Sequence, residues 1–334
     1  MEKTKVTIRD VAKSANVSVA SVSRVLNNNG FISVELRNTV EKAVDELGYS
    51  HKPKKKAVAR IRIGVLVGDI LNEAYAPVLK GIMEIAQIQN IEIVLYDYSR
   101  DKKKEEIFIK KMLENQLDGI IAYPTNEKIS KQYEKLIDDG FPLVLLISSK
   151  EQCERKDVFI VTKDSFEGAY NGTKYLLDLG HKNILILGTP GDNDIFASRL
   201  AGYRKAYEAI GLPVREELIR SCSDSFDQAY QIVSNLSNEL KVTAIFAVTD
   251  ALTLGAWRAI KDKGNKVPDD YSIVGYGNLL ALRYLSITSL AEPMQDVGQN
   301  AIYSILERLR GSHTTPRMIV LRDSLIIGDS CRRI

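Results

Sequence analysis

Three histidines, three cysteines and a single tryptophan are spread over 334 residues. His51, His181 and His313 are far apart, and none has the spacing of metal ligands. His181, in "LGHKN", falls in a helix-to-strand turn, where a structural hydrogen-bonding role is expected. Cys153, Cys222 and Cys331 are dispersed and odd in number. They form neither a disulfide framework nor a thiolate metal site, so a reducing cytoplasm is expected. No apolar run approaches the roughly 18–20 residues needed to cross a bilayer, so no membrane partner is expected. The opening "MEKTKVTIRD" is charged where a signal peptide would be apolar. Also missing are a G-x-x-x-x-G-K-[ST] phosphate loop, a G-x-S-x-G elbow and a G-x-G-x-x-G turn after the first strand. With so few reactive groups, neither catalysis nor a cofactor nor a metal is expected.

What is present is an uneven charge. The formal net charge is +3, but residues 1–62 hold 13 Lys or Arg against 6 Asp or Glu. The remainder is mildly acidic. A basic block on an acidic body implies different partners for the two parts, nucleic acid being the natural one for the first. The block ends in "HKPKKKAVARIR" (51–62), with six Lys or Arg and a proline.

The pattern of elements changes at that tract. Residues 1–50 read as helices without strands: Thr7 caps a helix from Ile8 to Ala15, a second runs from about Val19 to Leu26, and Ser33 caps a third ending at Gly48. From "IRIGVLVGD" (61–69) onward, apolar strand-like runs alternate with helices. The runs are "IEIVLYDY", "LDGIIAY", "PLVLLIS", "VFIVT", "NILILG", "AIFAVT" and "SIVGYG". Such alternation predicts parallel sheets built by right-handed crossovers, enough for two α/β lobes. The expected divisions are a headpiece at 1–50, a short basic hinge at 51–62 and a core at 63–334. Within the core, lobe 1 is expected at about 63–157 plus 290–318, and lobe 2 at about 158–289 plus the C-terminal tail. The tail runs "MIVL" and "SLIIG" should complete one or both lobes.

"TIRDVAKSANVSVASVSRVLNN" (7–28) is the most specific stretch. Ile8, Val11 and Ala12 face inward from the first helix, and Val17, Val22 and Val25 from the second; Ala12 is small where two helices cross. Asn16 suits a left-handed turn position, and Ser18 caps the second helix. The outer face then carries Val19, Ala20, Ser21, Ser23, Arg24 and Asn27. Short hydroxyls, with Thr7 and Ser18, suit phosphate oxygens near the positive end of a helix dipole. Arg24 can reach guanine O6 and N7 in the major groove, and Val19 and Ala20 can touch thymine methyls.

This run resembles, nearly residue for residue, the headpiece of the lactose-repressor (LacI/GalR) family of transcription regulators. The body keeps family order too, through "DGIIAY", "DSFEGAYNGTKYLLDLGHKNILILG", "SRLAGYRKAYEAIGLP", "TDALTLGAWRAIKDKGNKVPDDYSIVGYG" and "ITSLAEPMQDVG". The resemblance implies an all-α helix-turn-helix headpiece, a hinge, and a two-lobed α/β core of parallel sheets resembling type I periplasmic sugar-binding proteins. It also implies a homodimer on a pseudo-palindromic double-stranded DNA operator, and a small effector, a sugar or sugar phosphate, in the inter-lobe cleft. A transport receptor would account for residues 61–334 but not for residues 1–50.

Ligands in open α/β sheets bind beyond the carboxyl ends of the strands, where the sequence offers Tyr75, Asp164, Arg199, Asp250 and Asn278. The resemblance makes Arg199 of "RLAG" the strongest effector contact; the alternative is an arginine paired to a neighbouring acid. Asp164 and Asp250 match family contact positions, although Ser165 and Thr249 replace the family's usual Asn; the alternative for each is a cap on the helix that follows. Tyr75 could equally be a core or surface tyrosine. The family's G-F/Y-D-D reads "GYGN" here, so Gly277 lacks the usual carboxylate and Asn278 lacks charge. A cleft missing a carboxylate would suit a phosphorylated or acidic effector. The hinge is also shorter than the family's, with Arg62 where a leucine wedge would enter the minor groove. Lys52, Lys54, Lys55 and Lys56 are therefore expected to act on phosphates, with little base specificity and weak operator bending.

Overall fold

The computed structural model describes residues 6–26, 34–49, 60–124, 129–148, 153–188, 194–311 and 315–334. They fall into two compact units that divide between Arg60 and Ile61.

The first unit is three helices, α1 (Ile8–Ser14), α2 (Val19–Leu26) and α3 (Val34–Leu47). Each end is set locally. At the start of α1, the Thr7 backbone N–H and hydroxyl both donate to Oδ2 of Asp10, at 2.8 and 2.6 Å. The tight turn passes through Asn16 at φ +50°, a conformation open to Asn because its short side chain costs little there. Ser18 Oγ accepts the Ser21 N–H at 3.0 Å and so caps α2. Val11, Val22 and Val40, one from each helix, are fully buried and meet with Ala12, Ala15, Val25 and Ala43. Each such valine contributes about 1.5–3 kcal/mol of apolar burial. Asn27, Ser33, Lys52, Lys54, Lys55 and Lys56 lie outside the described residues, as do the side chains of Ala20 and Arg24.

The second unit holds two six-stranded sheets. The first contains β1 (Arg62–Val67), β2 (Glu92–Asp97), β3 (Gly119–Ala122), β4 (Leu143–Leu146), β5 (Phe159–Lys163) and β11 (Met318–Leu321). Their order is β11-β5-β4-β3-β1-β2, all parallel. Apolar side chains line both faces, which is why these strands read as continuous apolar runs. Ile63, Val65 and Val67 meet α4 (Tyr75–Ile88) and α12 (Met294–Leu309) on one face. Leu66, Ile120 and Leu145 meet α5 (Lys102–Glu114) and α6 (Lys131–Asp138) on the other. Gly81 and Gly298 let α4 and α12 cross closely: a Cβ on Gly81 would stand 2.1 Å from the Gln295 oxygen, and one on Gly298 2.1 Å from that of Val78.

The second sheet contains β6 (Ile184–Gly188), β7 (Ile219–Ser221), β8 (Ala244–Ala247), β9 (Ser272–Gly277), β10 (Thr288–Ala291) and β12 (Ser324–Ile326). Its order is β12-β10-β9-β8-β6-β7, parallel except that β12 runs antiparallel to β10. Its helices are α7 (Ser165–Asp178), α8 (Asp194–Ala209), α9 (Phe226–Ser234), α10 (Asp250–Asp262) and α11 (Leu280–Tyr284). His181 is structural, its ring nitrogens bonded to Thr243 Oγ1 at 2.9 Å and to the Arg332 carbonyl at 3.0 Å.

The two expected lobe boundaries need correction. β5 was expected to open the second lobe at 158, but it is hydrogen-bonded between β4 and β11 in the first sheet. Conversely β10, which the expected boundary between 289 and 290 would divide, pairs as a whole with β9 and β12 in the second. A buried apolar run specifies a strand, not the neighbour it chooses. The tail strands divide, one to each sheet. Arg62, expected in the hinge, opens β1 beside Glu92, with Nε to Oε1 at 3.3 Å and Nη1 to the Asn115 carbonyl at 2.9 Å. The chain thus passes between the sheets three times, after Lys163, after Ala291 and after Leu321. Among the described residues no helix is long and apolar enough to cross a membrane.

Candidate functional site

The headpiece presents α2 with Thr7, Ser18 and Val19 exposed and with Ser21 and Ser23 half-buried. The Ser18 and Ser21 hydroxyls lie 2.9 Å apart at the amino end of α2, so two oxygens and the free N–H groups of a helix start share one small polar surface.

In the core, the polar groups gather at the strand ends and at the three passages between sheets. Arg199 of α8 is the hub. It is 5% exposed, and its guanidinium lies over the Tyr276 ring at 3.5 Å from the centroid. Nη1 donates to the Val248 carbonyl at 2.5 Å and Nη2 to Glu292 Oε1 at 2.9 Å. The same Glu292 oxygen accepts from Lys163 Nζ. Burial pushes the Glu292 carboxyl up, but Lys163 and Arg199 outweigh it and hold it below the usual range. Beneath Arg199, the Tyr276 hydroxyl donates to Asp323 Oδ2. Burial raises the Asp323 carboxyl to about 6. Two buried atoms here have no partner, Arg199 Nε and Asp323 Oδ1.

Asp250 stands at the first residue of α10, after β8. The cap itself is Thr249, whose Oγ1 accepts the Leu252 N–H at 3.2 Å. The Asp250 carboxylate instead reaches sideways, where Oδ1 accepts the Leu279 N–H at 3.0 Å. Its Oδ2 lies 1.8 Å from where a Cβ on Gly277 would be, and Gly277 adopts φ +117°. The Asp250 carboxylate thus fills the space that a side chain at 277 would need. Burial lifts the Asp250 carboxyl to about 7, with Glu292, Glu73 and Asp224 raising it further against the Leu279 hydrogen bond.

The other expected residues divide. Asp164 caps α7, its Oδ1 accepting the Glu167 N–H at 3.0 Å. Asn278 is half-buried at φ +59° directly after Gly277. Tyr75 packs edge-on against Tyr123, with ring centroids 5.0 Å apart, and burial, with Tyr75 and Glu292 nearby, raises the Tyr123 hydroxyl. Glu292 is therefore close enough to Arg199, Asp250 and Tyr123 to alter the proton affinity of each. Sequence reasoning missed Lys163, Tyr123, Tyr276, Glu292 and Asp323. A usable signal existed, since Lys163 ends a strand, Tyr123 and Glu292 each directly follow one, and Asp323 stands between two.

Comparison with known proteins agrees with both units. Residues 7–52 match the pattern for bacterial regulatory proteins of the lacI family, and residues 173–331 match a periplasmic binding protein-like domain. The chain is 33% identical over 322 residues to catabolite control protein A of Priestia megaterium, covering 94% of this chain and 96% of that protein. It is 30% identical over 340 residues to the transcriptional repressor PurR of Vibrio parahaemolyticus, covering 98% and 99%. A ribose-bound LacI-family regulator from Enterococcus faecium superposes with a TM-score of 0.71 at 25% identity, over 82% of this chain and 99% of that one. The capped helix-turn-helix and the two-sheet core thus match the two parts of these regulators, and the chain belongs to the lacI family of DNA-binding transcriptional regulators.

Proposed function

We propose that this protein is a cytoplasmic homodimeric repressor that binds a pseudo-palindromic operator and is switched by a small polyhydroxylated effector between its two sheets. The observation that carries the DNA half is the capped turn through Asn16 and Ser18, which presents the outer face of α2 beside a polar helix start. On the operator, Thr7, Ser18, Ser21 and Ser23 hold phosphates, Val19 and Ala20 touch thymine methyls, and Arg24 and Asn27 read base edges. Lys52, Lys54, Lys55 and Lys56 neutralise further phosphates. In the cleft, Tyr75 and Tyr123 offer ring faces, and Arg199, Asp250, Asn278 and the remaining oxygen of Asp164 offer hydrogen bonds.

The dimer is proposed to form through exposed apolar side chains, chiefly Leu280, Tyr284 and Leu285 on and after α11, together with Leu71 beyond β1. Such a surface is costly to leave in water and suits a second copy of itself. Effector binding then alters the spacing of the two headpieces relative to the half-sites. Fluorescence anisotropy with palindromic operator-like DNA and a scrambled duplex, at two salt concentrations and with a panel of sugars, tests this. The expected result is sequence-dependent binding, weakened by salt and altered by at least one sugar. Equal affinity for both duplexes would overturn it.

A further inference from the structure

Glu292 sits in the second passage between the sheets, between Ala291 at the end of β10 and Pro293 ahead of α12. It bonds two cations at once, Lys163 at the end of β5 and Arg199 of α8. The side-chain exposures are 13% for Glu292, 14% for Lys163 and 6% for Arg199, so the three form a nearly dry cluster. Both cations at this point thus share a single internal carboxylate before any ligand arrives, which leaves the cluster with one positive charge rather than two. The carboxylates around them are engaged by neutral donors instead: Asp250 by the Leu279 N–H, Asp323 by the Tyr276 hydroxyl and Asp224 by the Thr249 hydroxyl.

The two unpartnered atoms add a second, independent constraint. Arg199 Nε needs an acceptor and Asp323 Oδ1 needs a donor, and Asp323 lies near enough to influence the Arg199 charge. A hydroxyl group accepts and donates, so it matches both. An ionised phosphate or carboxylate oxygen accepts but does not donate, and its charge would meet that of Glu292 in a site with little water to screen it.

We infer that Glu292 is a specificity-determining residue: its carboxylate occupies Arg199 and Lys163, closes the cleft to phosphorylated and other anionic effectors, and reserves it for uncharged polyhydroxylated compounds. The inference rests on the reading of this cleft as the effector site. An anion gains access only if the Glu292 charge is removed, because then two buried cations are left without a counter-ion.

The test is thermal denaturation and calorimetry of the full-length protein in the presence of inorganic phosphate. The wild type should be indifferent to millimolar phosphate. Glu292→Gln keeps the side-chain shape and should melt lower, then recover as phosphate is added, binding it about tenfold or more tightly than the wild type does. Should that variant fold poorly, Lys163→Met combined with Glu292→Gln restores the local charge balance and still frees Arg199. It should also bind phosphate, more weakly than Glu292→Gln alone. Phosphate binding by the wild type equal to that of the variants, or no phosphate binding by either variant, would overturn the assignment. The effector reading itself fails separately, if no uncharged sugar changes the melting temperature or operator affinity of the wild type; the phosphate comparison stays readable in that case.

Discussion

Replacing Asp250 by Asn should stabilise the effector core at alkaline pH while weakening effector binding. The carboxyl titrates at about 7 instead of 3.8 because it is buried behind α10 against Gly277, with Glu292, Glu73 and Asp224 nearby. The folded core therefore holds a proton between those two values that the unfolded chain has released, and stability falls as pH rises through that window. At about 1.4 kcal/mol for each tenfold change in proton affinity, keeping Asp250 ionised at about pH 8 costs the core on the order of 4 kcal/mol at most. The side chain retains some contact with solvent, which reduces the expected penalty to roughly 2 kcal/mol. Asn keeps an oxygen for the Leu279 N–H, now 3.0 Å from Oδ1, so the local structure should survive. Urea unfolding of both proteins at about pH 8 and about pH 5.5 checks this. The wild type should gain stability on acidification, and Asp250→Asn should lose most of that gain, keeping the part that Asp323 supplies near pH 6. A variant less stable than the wild type at pH 8, or one with the full pH dependence intact, would refute the account of Asp250 as a buried, strained charge.

Two further outcomes concern the partners. Arg24→Ala should cost about 1–3 kcal/mol at a specific operator and relax preference at one base position, while binding to random DNA stays nearly intact; a uniform loss on all duplexes, measured by anisotropy, would contradict a base-reading role. Tyr284→Asp, on the exposed face of α11 beside Leu280, should shift sedimentation toward monomer and lower operator affinity sharply, because one headpiece then contacts only one half-site. An unchanged sedimentation coefficient would place the dimer surface elsewhere.

Much of the headpiece was legible because its determinants are local. Thr7 and Asp10, or Ser18 and Ser21, are three residues apart and settle a helix end between themselves. The strands were legible as well, since a buried parallel strand must be apolar on both faces. Asp164 carried two readings, and the cap is the one the fold displays. Gly277 lacks a carboxylate in the sequence, and only the fold reveals that the Asp250 side chain packs into the space this leaves.

By itself, the sequence determined the helix-turn-helix and the alternating elements, which depend on periodicity, caps and turn residues within a few positions of each other. The tertiary structure decided that β5 stays with the first sheet, that β10 joins the second, and that Arg199 is held by Glu292. Those outcomes join residues far apart, 93 positions for Arg199 with Glu292 and 129 for Lys163 with Glu292. Strand partnership and buried ion pairing are settled by which surfaces exclude water together, and no short stretch of chain contains that information.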